Sequence, residues 1–230
     1  MPATPTPAPE RTLLSWSGGK DSSLALQRLR ADPGVRVEAL LTTVTDAYDR
    51  VSMHGVRRPL LERQAAAVGL PLRLVHIPPA CSNAEYEARF GAALAEWAAD
   101  GGEAVAFGDL YLADIRAYRE RLVAERAPRL AARFPVWGED TAALARRFVG
   151  DGFRAVLACV DPRQVDARFC GRDFDLALLA ELPAGADPCG ENGEFHTFVA
   201  DGPIFSHPVP VARGEVVERG GFWFCDLVPD

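Results

Sequence analysis

Lys20 is the only lysine among the 25 basic residues of this 230-residue chain; every other one is an arginine. It stands in LLSWSGGKDSSLAL (residues 13–26), where an apolar run gives way to two glycines, the lysine, an acid and two serines. A turn of this composition between a strand and a helix offers backbone N–H groups and the positive end of a helix to phosphate oxygens. Gly18 and Gly19 permit backbone angles and close approach that a Cβ would forbid. Ser15, Ser17, Ser22 and Ser23 add hydroxyl groups. Lysine supplies a compact, mobile charge where arginine supplies a planar fork. A chain that otherwise uses arginine and keeps one lysine here points to a need for lysine geometry. The spacing is neither a Walker A motif nor GxGxxG. A plain helix start with a solvated lysine is the competing account, and Asp21 fits that account as a helix N-terminal carboxylate.

Other groups that could do chemistry lie further along. VSMHGVRR carries His54, Arg57 and Arg58, basic side chains able to reach a triphosphate or an acidic substrate, although the arginines also suit a solvated helix start. In LVHIPP, His76 lies within an apolar strand and reads as a core histidine. GDLYLADIRAYRERL places Gly108 and Asp109 at a strand end, Asp114 and Arg116 at a helix start, and Arg119, Arg121 and Arg126 on a solvated face. Asp109 could hold a metal or an ammonium group. DPCGENGEFHTFV gathers Asp187, Cys189, Glu191, Glu194 and His196 within ten positions. If a strand begins at Glu194, then Glu194 and His196 share a face and form a general acid–base pair. A polar hairpin with a solvated face is the alternative. Zinc at Cys189, Glu191 and His196 lacks a second Cys/His pair at ligand spacing.

The elements that must position these groups alternate. Strands are expected at 12–16, 35–44, 72–77 and 104–107, and helices at 20–30, 58–68, 83–99 and 112–126. That order predicts an α/β fold, a parallel sheet with helices on both faces, whose ligands bind beyond the carboxyl ends of the strands. The turns after Trp16, Val44, Ile77 and Phe107 are therefore selected. Beyond residue 135 the pattern changes to a helix at 138–149, a strand at 153–160 and a loop-rich, β-leaning tail. Three units follow: a disordered tail (1–10), an α/β domain that carries the glycine turn (11–135) and a smaller α+β domain (136–230). With 48% hydrophobic residues the chain has ample material for a core, and its net charge of −7 argues against a large nucleic-acid footprint. No apolar run approaches the length of a membrane span. Five cysteines without a CxxC pair suit a reduced, cytoplasmic protein.

SWSGGKDSSLAL resembles the PP-loop ATP pyrophosphatases, whose signature is SGGxDS. The resemblance implies a five-stranded parallel sheet of the adenine nucleotide α-hydrolase type. It also implies attack at the α-phosphate of ATP, with pyrophosphate held by residues 17–23. Adenine is then expected at the ends of the first two strands, against the Leu41, Thr42 and Thr43 backbone. Mg2+ is expected on the phosphates, with Asp21 orienting it or Lys20. Taken with GD(L)-x4-IR, PVWGED(T) and GENGEFHTFV-x-DGPIF, in that order from about residue 11 to 227, the chain resembles the diphthine–ammonia ligase family, and its bacterial-type branch in particular.

That resemblance implies ATP-dependent amidation, in which a carboxylate is adenylated and ammonia displaces AMP. Free ammonium would be the nitrogen source, since no glutaminase domain is visible. Gly108 and Arg116 match the middle motif; Glu191, Gly193, Glu194 and Thr197 match the last. Lys20, Glu191, Glu194 and His196 are the expected catalytic set. Asn192 stands where relatives carry glycine, and His196 where they carry glutamate. In archaea and eukaryotes the carboxylate belongs to diphthine, a modified histidine of translation elongation factor two. Bacteria as a group lack diphthamide, so another small or protein-borne carboxylate is expected as acceptor. The other classes compatible with the motifs are a tRNA-modifying PP-loop enzyme and a non-catalytic ATP- or AMP-binding module. A homodimer is compatible with the GFWF aromatics.

Overall fold

A computed structural model describes residues 8–52 and 54–230. The first sheet contains β1 (Glu10–Ser15), β2 (Val35–Thr45), β3 (Arg50–Val51), β4 (Leu72–Ile77), β5 (Ala104–Ala106) and β6 (Ala131–Arg133). Five of these strands run parallel in the order β4-β2-β1-β5-β6, and the two-residue β3 adds antiparallel to β2. The expected parallel α/β sheet is present. Strand order reverses around β1, so the crevice beyond its carboxyl end is the natural ligand position in such a sheet. Glu10, expected in the tail, opens β1 and its N–H bonds the Gly34 carbonyl. Residues 1–7 of that tail lie outside the described residues.

Local chemistry sets the helices. Helix α1 (Lys20–Ala31) starts from Gly19, which has no side chain to cap the first turn and so leaves backbone N–H groups available. It stops at Asp32, whose carboxylate accepts from Gly34 N at 2.8 Å around Pro33. Helix α2 (Arg58–Val68) ends on left-handed Gly69 at φ 71°. Ser82 caps α3 (Asn83–Ala99) by accepting from Glu85 N, and α4 (Ala113–Arg126) follows β5.

Alternate residues of the strands face opposite sides. Leu13, Leu41 and Val105 pack against Phe90, Leu94, Trp97 and Leu122 of α3 and α4. Leu14, Leu40 and Ala106 pack against Leu24, Leu26, Leu60 and Leu61 of α1 and α2. The second cluster continues without a break into the other half of the chain, through Phe148, Leu157, Phe195 and Phe198.

That half comprises α5 (Thr141–Gly150, capped by Asp140), β7 (Arg154–Val160), α6 (Leu176–Glu181), β8 (Phe195–Asp201), β9 (Val211–Arg219) and β10 (Phe222–Pro229). Its antiparallel sheet has the order β8-β7-β10-β9. It is tied to α1 by Arg28 on Glu139 and Gln27 on Asp151. It is tied to the glycine turn between β1 and α1 by Val199 N donating to the Gly18 carbonyl at 2.9 Å. No helix among the described residues is long and apolar enough to cross a membrane.

Candidate functional site at the sheet switch point

A cleft of about 360 Å³ opens beyond the carboxyl ends of β1, β2 and β5, walled on its far side by residues 190–197 of the second half. Ser15, Ser17, Gly19, Lys20, Asp21, Ser22, Thr42, Thr43, His54, Gly108, Asp109, Glu191 and His196 all line it. Residues drawn from five separated stretches thus converge on one space.

The loop is held tightly. Lys20 N donates to Thr197 Oγ1 at 3.0 Å, joining the first turn of α1 to β8. Gly18 adopts φ 76°, and a Cβ there would meet Gln64 Oε1 at 2.3 Å. Gln64, fully buried in α2, donates through Nε2 to the carbonyls of Gly18 and Val199. Ser22 and Ser23 hydroxyls both donate to the Gly19 carbonyl, and Ser22 also meets Ser17 Oγ at 3.3 Å. Thr42 Oγ1 donates to the Trp16 carbonyl and thereby fixes the turn leaving β1. Gly108 is required by proximity: a Cβ would lie 2.9 Å from the Asp21 carbonyl carbon.

Lys20 has a side chain only 3% exposed, with Nζ 2.9 Å from Asp21 Oδ2 and 5.6 Å from the Phe195 ring centroid. Burial is the largest influence and opposes its charge, but Asp21, through its charge and hydrogen bond, together with Cys189 and Glu191 holds the ammonium above its ordinary value. Asp21 Oδ1 is buried with no hydrogen-bond partner among the described residues. Asp109 is pushed above the usual carboxylate range by burial, against the pull of Arg119. Glu191 accepts from Leu110 N at 2.8 Å and Tyr111 N at 3.4 Å. Burial nevertheless raises it to about 7, and the Asp21 charge adds to the rise. Its carboxyl is therefore poised to exchange a proton near neutrality.

Two imidazoles complete the wall. His54 and His196 lie with ring centroids 4.5 Å apart. Burial, and then the nearby Lys20 charge, lowers His196 to about 4; burial and His196 also lower His54 well below its ordinary value. Both rings are neutral at pH 7.

Several expected positions differ. Glu194 does not pair with His196. It precedes β8, and its Oε1 instead accepts from Asp187 N at 2.8 Å and Asn192 Nδ2 at 3.0 Å, outside the cleft lining. Gly18 and Ser23 support the loop from behind rather than line the cleft. Arg116 is turned away: it pairs with Glu120, and its guanidinium sits 4.8 Å from the ring centroids of both Phe134 and Trp137. Arg119, expected in solvent, instead lines the cleft, donating to Tyr86 Oη at 3.1 Å with Nε 3.8 Å from Asp109 Oδ2. His76 is exposed rather than core, with Nδ1 2.6 Å from Asp46. Cys189 is buried with Sγ toward the Thr141 carbonyl, and no metal-binding group of three His, Cys, Asp or Glu side chains occurs among the described residues.

Thr197, Gln64 and Arg119 carried no functional assignment from the residues themselves. Thr197 was visible only as a motif match, while Gln64 and Arg119 resemble ordinary polar helix residues in sequence.

Residues 10–128 match the diphthamide synthase N-terminal domain and residues 140–227 the diphthamide synthase C-terminal domain. Diphthine–ammonia ligase of Schizosaccharomyces pombe is 29% identical over 96 residues, which cover 40% of this chain and 16% of that protein. The alignment therefore spans a small part of that relative's length. With both domain matches present in order and the first alone covering half of its length, this chain belongs to the diphthamide synthase family.

Proposed function

We propose that this protein is an ATP-dependent amide ligase that adenylates a carboxylate and passes the acyl group to ammonia. The observation that carries the reading is the closure of the phosphate loop by the second domain. Lys20, at the head of α1, shares one cleft with Glu191 and His196, and Thr197 fixes the loop directly.

In this reading the remaining N–H groups of the first turn of α1, Ser17 and Lys20 take the β- and γ-phosphates of ATP. An acceptor carboxylate oxygen attacks the α-phosphorus, and the bond to the pyrophosphate oxygen breaks. Lys20, compact and charged, offsets the negative charge that gathers on the departing pyrophosphate. Ammonia then attacks the acyl carbon, and AMP leaves with the electrons of the C–O bond. Ammonium must lose a proton before it attacks, and Glu191 can accept it near pH 7. The unpartnered Asp21 Oδ1 suits a Mg2+ ion carried on the phosphates, which would supply further charge neutralisation. Neutral His54 and His196 can donate hydrogen bonds without adding charge.

The test is the nucleotide product. Protein incubated with α-labelled ATP, ammonium and candidate carboxylates should give AMP that depends on both the acceptor and ammonium. ADP would contradict attack at the α-phosphorus. Tight ATP binding without turnover on any carboxylate would point instead to a nucleotide-binding module.

A further inference from the structure

A second cavity, of about 680 Å³, lies between the two halves of the chain, and nothing in the reaction just described uses it. One wall comes from the turn after β2 and from β3, with Tyr48, Val51 and Ser52; the other comes from the β9–β10 hairpin, with Val217, Arg219 and Phe224. Clefts at domain boundaries with apolar walls and few polar groups are where small ligands bind. Val51 and Ser52 line the nucleotide cleft as well. The two spaces therefore share a wall at Val51 and Ser52.

The charges of this cavity are unevenly compensated. Asp226 is held by Arg50 Nη2 at 2.8 Å and by Arg57 through Nε and Nη2, and Arg50 Nη1 also donates to the Gly55 carbonyl. That network consumes its own charge. Arg219, at the end of β9, lines the rim of the cavity from an exposed position and makes no ion pair or side-chain hydrogen bond with any described residue, and Tyr48 is 64% exposed at the mouth. An apolar and aromatic space with one unengaged guanidinium selects an anion with an apolar body, because the guanidinium fork bonds a carboxylate in two places.

We infer that this cavity holds the body of the acceptor: a small dicarboxylic acid with an apolar or aromatic core. One carboxylate is held by Arg219, and the other is directed past Ser52 toward the nucleotide. The inference rests on the ligase reading for the fate of the second carboxylate, but not for binding.

Binding is tested without turnover, on full-length protein saturated with a non-cleavable α,β-methylene ATP analogue. Phenylsuccinate, 3-phenylpropionate and 3-phenylpropanol serve as probes, followed through the methyl resonances of Val51 and Val217. The expected order of affinity is the diacid, then the monoacid, then the alcohol, with both methyl groups shifting. Arg219→Gln should weaken phenylsuccinate about tenfold while leaving the alcohol unchanged. Val217→Arg, on a partly exposed strand position, should remove binding of all three. The nucleotide analogue should bind both variants as it binds the parent. Equal affinity for acid and alcohol, an unchanged affinity in either variant, or shifts confined to the nucleotide cleft would overturn the assignment. The ligase reading is measured separately, through AMP release, so each can fail on its own.

Discussion

Lys20 N donates to Thr197 Oγ1 across 177 positions of sequence at 3.0 Å, and through this bond β8 holds the first turn of α1. Thr197 is itself buried, so a valine in its place would leave a buried N–H without an acceptor. Thr197→Val should cost about 1–3 kcal/mol of stability, read from chemical denaturation. ATP affinity should fall with it, and Thr197→Ser should recover most of both. Unchanged ATP affinity in the valine variant would show that the loop is set by the first domain alone.

Lys20→Arg keeps the charge and changes the shape. Nζ is enclosed by Asp21 and the Phe195 ring, so the larger planar guanidinium cannot enter without displacing one of them. Turnover should drop at least about tenfold, a loss of some 1.4 kcal/mol of transition-state stabilisation. Steady-state AMP formation measures it, and full activity would refute the need for lysine geometry.

The sheet, its helices and the position of the loop were readable because punctuation is local. Gly69 in its left-handed turn and Ser82 on Glu85 N end and begin helices by chemistry confined to a few neighbours, and α2, β4 and α3 fall where the pattern puts them. The fifth parallel strand, Ala131–Arg133, has three residues and is too short to show a period. Which arginine of α4 faces the cleft was not readable. Arg116 and Arg119 look alike in sequence, and their surroundings are supplied by Phe134 and Trp137 in one case and by Asp109 and Tyr86 in the other. Glu194 follows the same logic. Strand alternation would set it beside His196, but β8 begins one residue later and the preceding loop takes the carboxylate for its own amides.

Glu191→Gln tests the proton acceptor. With its carboxyl raised to about 7, the parent's rate of AMP formation should rise through pH 7 as the carboxylate form appears. The glutamine variant should lose that limb while binding ATP as before. Stability carries a second signature. A raised folded-state value stabilises the fold fully below the ordinary 4.5, and that contribution is lost as pH rises through 7. The variant should therefore gain stability relative to the parent between pH 4.5 and pH 8. A parallel pair of pH–stability curves would contradict the shift.

His196→Gln should act in the opposite sense. The ring is held neutral in the fold down to about pH 4, against 6.5 when unfolded, because it is buried close to Lys20. Its contribution is thus present above pH 6.5 and lost as pH falls toward 4, where the unfolded chain takes the proton first. The loss amounts to up to about 3 kcal/mol over that window. His54, depressed by burial and by His196 itself, adds to the same slope. In the parent these losses run against the gain from Glu191 between pH 4.5 and 6.5, so the observed pH dependence of stability should be shallow there. Removing His196 alone should unmask the Glu191 contribution, leaving a variant whose stability relative to the parent increases on acidification from pH 6.5 to 4.5. Urea unfolding at half-unit pH steps measures this, and a variant whose stability follows the parent's pH dependence would show that His196 takes its proton in the fold as readily as in the unfolded chain.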